Sequence, residues 1–204
     1  MDLHEMRRMG AMAARRAMEF ALGAERELVG DETIGYLSDE VKRIAEEYPR
    51  VPLAEVWQDL ATAQDDAFRL LESGRTRPSQ GRDLLFLATV LSFLMAKGSH
   101  DMGDSKVAMA QARAAGFCAR QAEHKGLIAL VDGLKSLIAY WANRPEDALH
   151  YARQGTAESA NLQGTVGIWP PGLEAWAAGA ARRRGSGTLR ESEGRRPARA
   201  RGAR

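Results

Sequence analysis

Laid on itself at an offset of 40 residues, this chain matches its own centre. Leu87 falls on Leu127, Leu91 on Val131 and Leu94 on Leu134, while Gly103 falls on Asn143, Ala108 on Ala148 and Ala112 on Ala152. Self-similarity at such a period points to successive copies of one supersecondary unit, none of which can bury its apolar face alone. Each copy reads as an apolar stripe at helical spacing, a residue able to turn the chain, then a second helix with alanine every fourth position. Alanine there lets the second helix lie close against the first. The expectation is an all-α fold of stacked antiparallel helical hairpins. A generic antiparallel bundle, in which Ala-rich helices also occur, is the alternative.

The flanking sequence supplies further helices. Ile34, Leu37, Val41 and Ile44 recur at helical spacing from Glu32 to Tyr48. Pro49 and Pro52 stop that helix, because a proline disfavours helical geometry in the residue before it. A second helix is expected from Leu53 to Glu72, with Val56, Trp57, Leu60 and Ala67 inward, and a polar loop from Arg75 to Gly81. The apolar run from Leu84 to Leu91 continues through Ala96, too long for a strand, so a buried helix is expected from Arg82 to about Ala96. After the Met102–Ser105 break, one helix ends near Lys125-Gly126. The next spans Leu127 to Ala142, its stripe (Leu127, Val131, Leu134, Ile138, Trp141) placing Trp141 in the core. Pro145 is placed to open the following helix. Gly167 to Trp176 reads as the start of a third repeat.

Charge divides the chain. Residues 182–204 hold nine arginines and two glutamates, a net of +7, leaving 20 basic and 25 acidic side chains, a net of −5, in the other 181 residues. The basicity therefore belongs to the C-terminal segment. Three parts are expected: residues 1–30 as a leader, weakly helical or disordered; 31–176 as the helical-repeat domain; and 177–204 as a disordered Arg-rich tail. The body uses 15 Arg against five Lys, as a high-GC genome would. An out-of-frame reading of GC-rich DNA yields Arg, Gly, Ala and Pro, so the tail reads as a frameshift product, a native basic tail being the rival. On the frameshift reading the second hairpin lacks a covering helix and its apolar face is open to homodimerisation.

Arg15 and Arg16 interrupt any apolar stretch at the N-terminus, which argues against a secretory signal. No apolar run approaches the ~20 residues needed to cross a bilayer, so no membrane association is expected. The lone Cys118 cannot form an internal disulfide, which suits a reducing cytoplasm.

Little in the sequence points to chemistry. His4, His100, His124 and His150 form no His-x-x-x-His pair, and Cys118 has no metal-ligand partner near it. Glu146 and His150 can share a helix face, where a surface hydrogen bond is the simpler role. Gly185-Ser186-Gly187 lies in the Arg-rich segment, away from any strand–helix junction that could cradle phosphate. Neither a catalytic set, a metal nor a cofactor is expected. Tyr140, off the apolar stripe, with His100 and Asp101 at the end of the preceding repeat's first helix, are the candidate partner-binding residues.

Met102-Gly103-Asp104 followed by Ala108 resembles a tetratricopeptide repeat, with a period longer than the usual ~34 residues. Several segments in order (Asp39-Glu40-Val41, Pro52-Leu53-Ala54-Glu55-Val56, Arg77-Pro78-Ser79-Gln80, Met109-Ala110-Gln111-Ala112-Arg113, Ser136 to Trp141, and Arg144 to Leu149) resemble the tetratricopeptide-like sensor halves of XRE-type helix-turn-helix regulators from high-GC Gram-positive bacteria. The resemblance covers about residues 31–176. It implies a non-catalytic sensing module that recognises a protein or peptide through a groove between hairpins, a small-molecule pocket or a non-functional regulator fragment being the alternatives. Residues 1–30 are too short for the helix-turn-helix, so no DNA-reading residue is carried over. Residues 31–176 are accordingly expected to show no sequence-specific shift of duplex DNA, and the tail only binding that collapses as salt is raised. A specific shift by 31–176 at physiological salt would contradict this.

Overall fold

Side-chain and backbone caps set where the helices of this chain begin. The structure, a computed structural model, describes residue 10, residues 12–18 and residues 29–194, with side chains described as far as residue 183. Residues 12–18 of the expected leader are helical. Seven longer helices follow among the described residues: α1 (Asp31–Glu47), α2 (Leu53–Glu72), α3 (Pro78–Asp101), α4 (Ser105–Gln121), α5 (Lys125–Trp141), α6 (Pro145–Ser159) and α7 (Thr165–Gly194). No strand occurs among these residues, and no helix is long and apolar enough to cross a membrane.

The two repeat turns are built alike. Gly103 and Asn143 both take positive φ, 84° and 58°, the left-handed conformation that glycine and asparagine tolerate best. Asp104 then caps α4, its carboxylate accepting from the backbone N–H of Lys106 and Val107. His124 caps α5 in the same manner, its Nδ1 accepting from the N–H of Leu127 at 3.1 Å. Pro145 occupies the first position of α6, where a missing N–H costs nothing.

The alanines paired by the offset are alike in burial: Ala108, Ala112, Ala148 and Ala152 all have 0% exposure, as do Leu91 and Val131. Consecutive helices pack on one another throughout. In addition α1 packs on α3, α3 on α5 and α5 on α7, and no other pair of helices brings its backbones together among the described residues. The odd-numbered helices thus form one continuous row, with the even-numbered ones laid against it. The apolar interior falls into two clusters, one of α1–α3 side chains, with Cys118 of α4, around Leu37, Ile44, Leu60, Leu84 and Leu91. The other is centred on Leu134, Ile138 and the alanines of α4 and α6.

Four expectations need correction. The third long helix starts at Pro78, not Arg82, because Pro78 fits its first turn and the Gln80 Oε1 reaches back to accept from the N–H of Arg77. It also continues to Asp101, with Gly98 set against the Trp57 ring, where a Cβ would come within 2.6 Å. The domain begins before residue 31, since buried Val29 donates its N–H to the Arg75 carbonyl at 3.1 Å and accepts from Gln80. Trp141 is not a core residue: it is 63% exposed. The buried face of α5 is broad, taking in Asp132, Lys135, Ser136 and Ala139 as well as Val131 and Ile138, so the expected stripe runs along one margin of it, where Leu127 is only half-buried and position 141 falls outside.

The fourth correction concerns the C-terminus. The chain is helical from Thr165 to Gly194, so the disorder expected from residue 177 does not hold over 177–194; residues 195–204 lie outside the described residues. Ala177 is 1% and Leu173 7% exposed, so α7 covers the second hairpin that was expected to stay open. Alanine and arginine are both strong helix formers, and a segment without an apolar face can still prolong a helix that packing has started.

Replacing Ala108 or Ala148 by Leu should each cost about 1–3 kcal/mol through overpacking, read as a lowered midpoint in urea unfolding. Ala110→Leu, on the exposed side of the same helix, should stay within about 0.5 kcal/mol of the parent.

Candidate functional site

The odd-numbered helices end on one edge of the array, and the three candidate residues lie along it. By the 40-residue register Tyr140 is the counterpart of His100, and Trp141 of Asp101. They share an edge but not a pocket. His100 is half-buried and Asp101 exposed at the end of α3, where Asp101 is paired with Lys97 at 2.6 Å. Burial pushes the His100 imidazole below its usual value, the Asp101 charge opposing and the Lys97 charge reinforcing that shift. The buried hydroxyl of Tyr48, at the end of α1, has no well-formed hydrogen bond. Its burial, and secondarily the Asp101 carboxylate, raise it far above the ordinary phenol range.

One helix further along, the edge becomes aromatic. Tyr140 packs on the second core cluster and stacks on Trp176 of α7, with ring centroids 4.2 Å apart and planes 28° apart. Trp141 stands edge-on to Trp176 at 6.4 Å. Beside them an open cleft of about 300 Å³ is lined by Tyr140, Asn143, Pro145, Ala180 and Arg183. His100 and Asp101 do not line it.

Sequence reasoning missed the most buried charges among the described residues. Asp132 and Lys135 of α5 are 4% and 5% exposed and form an ion pair at 2.9 Å. The Lys135 Nζ lies 5.7 Å from the centroid of the Tyr151 ring of α6. On its other side Gly116 of α4 makes room, since a Cβ there would meet Nζ at 2.7 Å. The equivalent place one repeat earlier is also polar. Ser92, the counterpart of Asp132, accepts from Gln64 of α2 at 2.8 Å, and the same amide reaches Gln111 of α4, the counterpart of Tyr151. The available signal was a lysine lying next to the apolar stripe of α5 with a carboxylate three residues before it.

Two further groups are structural. Arg43 bridges Glu40, Glu47 and Asp59, tying α1 to α2, and these hydrogen bonds, that to Glu40 foremost, raise it above its usual value against the opposing effect of burial. Burial likewise pushes the Cys118 thiol up, keeping it protonated. Among the described residues no three His, Cys, Asp or Glu side chains come together as a metal site would require. No protein-family model, no curated protein and no solved structure matches this chain.

The buried pair allows a sharp test. Lys135→Met alone should cost about 3–5 kcal/mol, because it strands the Asp132 carboxylate. Adding Asp132→Leu should recover most of that loss in urea unfolding. Equal losses in the single and double variants would mean that the apolar parts of these side chains, not their charges, hold the crossing.

Proposed function

We propose that this chain is a non-catalytic sensing module that recognises a protein or peptide segment along the edge and groove formed by its odd-numbered helices. The observation that carries this reading is the contact order, in which α1, α3, α5 and α7 pack in sequence and the even helices flank them. Such an arrangement supports a tetratricopeptide-like solenoid, whose inner surface varies freely because the core lies elsewhere. Equivalent positions on successive helices then carry different side chains in a row: His100 and Asp101, then Tyr140 and Trp141. An extended or helical peptide is read by such a ladder of side chains. The cleft beside Tyr140 opens to solvent, which suits a surface-bound segment. On the resemblance to sensor regions of XRE-type regulators, the module would serve transcriptional control in the cytoplasm, with DNA reading supplied by another segment or chain.

Peptide display on the immobilised full chain tests this. Peptides so selected should bind in solution, and His100→Ala, Asp101→Asn and Tyr140→Ala should each weaken them, Tyr140→Ala by about tenfold or more, as for an aromatic interface anchor. Selected peptides that bind all three variants as tightly as the parent would remove this edge from the reading.

A further inference from the structure

Of the seven longer helices only α4 carries basic residues and no acidic one. Between Ser105 and Gln121 stand Lys106, Arg113 and Arg120 without an Asp or Glu, while residues 1–181 as a whole carry a net of −5. The three cations follow one another at intervals of seven residues, so they fall on one stripe of the helix and span about 21 Å of its length. Each is exposed, and none forms an ion pair with a described residue.

Beside that stripe runs an apolar one. Val107, Ala110, Ala114 and Phe117 recur at steps of three, four and three residues, the spacing of a seam between two helices. Val107 is 44% and Phe117 60% exposed, Ala110 is exposed and Ala114 half-buried. The array packs on the other side of α4, through Ala108, Ala112, Ala115 and Ala119. This helix therefore has two packing faces, of which the fold uses one. The repeat supplies a control. At the same places in α6, 40 residues on, stand Glu146, Asp147, His150, Arg153 and Gln154, the mixed charges and polar groups of a solvated face. The second helix of a hairpin thus needs no seam there, and the fold does not account for the one on α4.

Charge and shape together select the occupant. Alanines in the seam let another helix come close, and charges flanking a seam set which partner pairs with it. A second copy of α4 brings no carboxylate, so six cations would face one another without a counter-charge. Nucleic acid would use the cations and leave the seam in water.

We propose that the exposed face of α4 docks an amphipathic helix of a partner protein, with apolar residues packed along the Val107–Phe117 seam and carboxylates at seven-residue intervals pairing with Lys106, Arg113 and Arg120. The site lies on an even-numbered helix, goes beyond the peptide-reading edge and does not rest on it.

A fluorescein-labelled peptide of about three heptads, with Leu at the seam positions and Glu at the flanking ones, titrated with the full chain, tests the proposal by anisotropy. It should bind about tenfold or more tighter than the same peptide with Ser for Leu, or with Lys for Glu. Phe117→Ser should weaken it by about tenfold, as for an aromatic interface anchor. Arg113→Glu combined with Arg120→Glu should weaken the Glu peptide further and turn the preference toward the Lys peptide, a gain that a misfolded variant cannot produce. Urea midpoints of both variants should stay near the parent's, since the residues changed are exposed. Glu-peptide binding that survives unchanged in either variant would overturn the site, because the peptide then lies on arginines elsewhere in the chain. Equal binding of the Ser-for-Leu peptide would do the same, reducing the contact to unspecific attraction. Oligothymidylate or phosphatidylserine vesicles that bind more tightly than the Glu peptide, and are lost in the same variants, would overturn the helical partner in favour of nucleic acid or an anionic membrane. None of these outcomes touches the display-selected peptides, whose dependence on His100 and Asp101 is measured separately.

Discussion

Along α4 the residues at 108, 112, 115 and 119 are all alanine and all have 0% exposure. How closely two helices approach is set by the side chains at their contact, and here these are methyl groups. At two further contacts even a methyl is crowded. A Cβ on Gly155 of α6 would stand 3.1 Å from the Ala129 carbonyl and 3.2 Å from Pro170, and one on Gly133 of α5 would run into the Trp169 ring at 2.8 Å. The rest of the architecture accommodates these close crossings. Leu134 and Ile138 pack in one cluster with Ala108 and Ala112, while Leu84 and Leu91 belong to the other cluster. Several of the large aromatics, with no room at the crossings, are displaced to the rim, where Phe86, Phe117, Trp141 and Trp176 are exposed.

Close packing alone does not fix how one hairpin aligns with the next, because a row of alanines can slide past another by a turn. The buried polar groups supply that alignment. Gln64, Ser92 and Gln111 join α2, α3 and α4 through one amide. At the matching level one repeat later, Asp132 and Lys135 sit between Gly116 and Tyr151. A shifted register would leave these groups buried without partners, which costs far more than the shift of a methyl contact. The two levels use different chemistry for the same purpose, an amide bridge in one and an ion pair in the other.

Much of the fold was legible because it depends on local, periodic features. Gly103, Asn143 and the alanines four apart announce the turns and crossings directly, and α2 begins and ends where its flanking residues indicate. What was not legible depends on partners distant in sequence. The start of α3 at Pro78 is favoured by Gln80, which also binds the Val29 carbonyl 51 residues away. The exposure of Trp141 follows from a buried face of α5 that includes Asp132, Lys135 and Ser136 and so centres away from the apolar stripe, which spacing alone does not reveal. The helical course of 177–194 was hidden because the segment beyond Ala177 lacks an apolar face of its own and continues a helix anchored by the buried Leu173 and Ala177. Of the edge residues, His100, Asp101 and Tyr140 were accessible to pattern reading. The support of Tyr140 for Trp176 was not, since the two meet only through the packing of α5 on α7.

The order of helix contacts also shapes how this molecule comes apart. α1 meets α2 and α3 but no later helix, whereas α5 meets α3, α4, α6 and α7. In such a one-dimensional arrangement each hairpin is held by its immediate neighbours, and stability approximates a sum of unit and interface contributions. Opening therefore begins at either end and moves inward, and amide protons exchange fastest in the terminal helices and slowest in α5. The two tryptophans of the rim belong to different cooperative units: Trp141 to the most protected helix, Trp176 to a terminal one. The aromatic edge consequently exists only while α7 is docked, so fraying of that helix dismantles it and leaves the central hairpins folded.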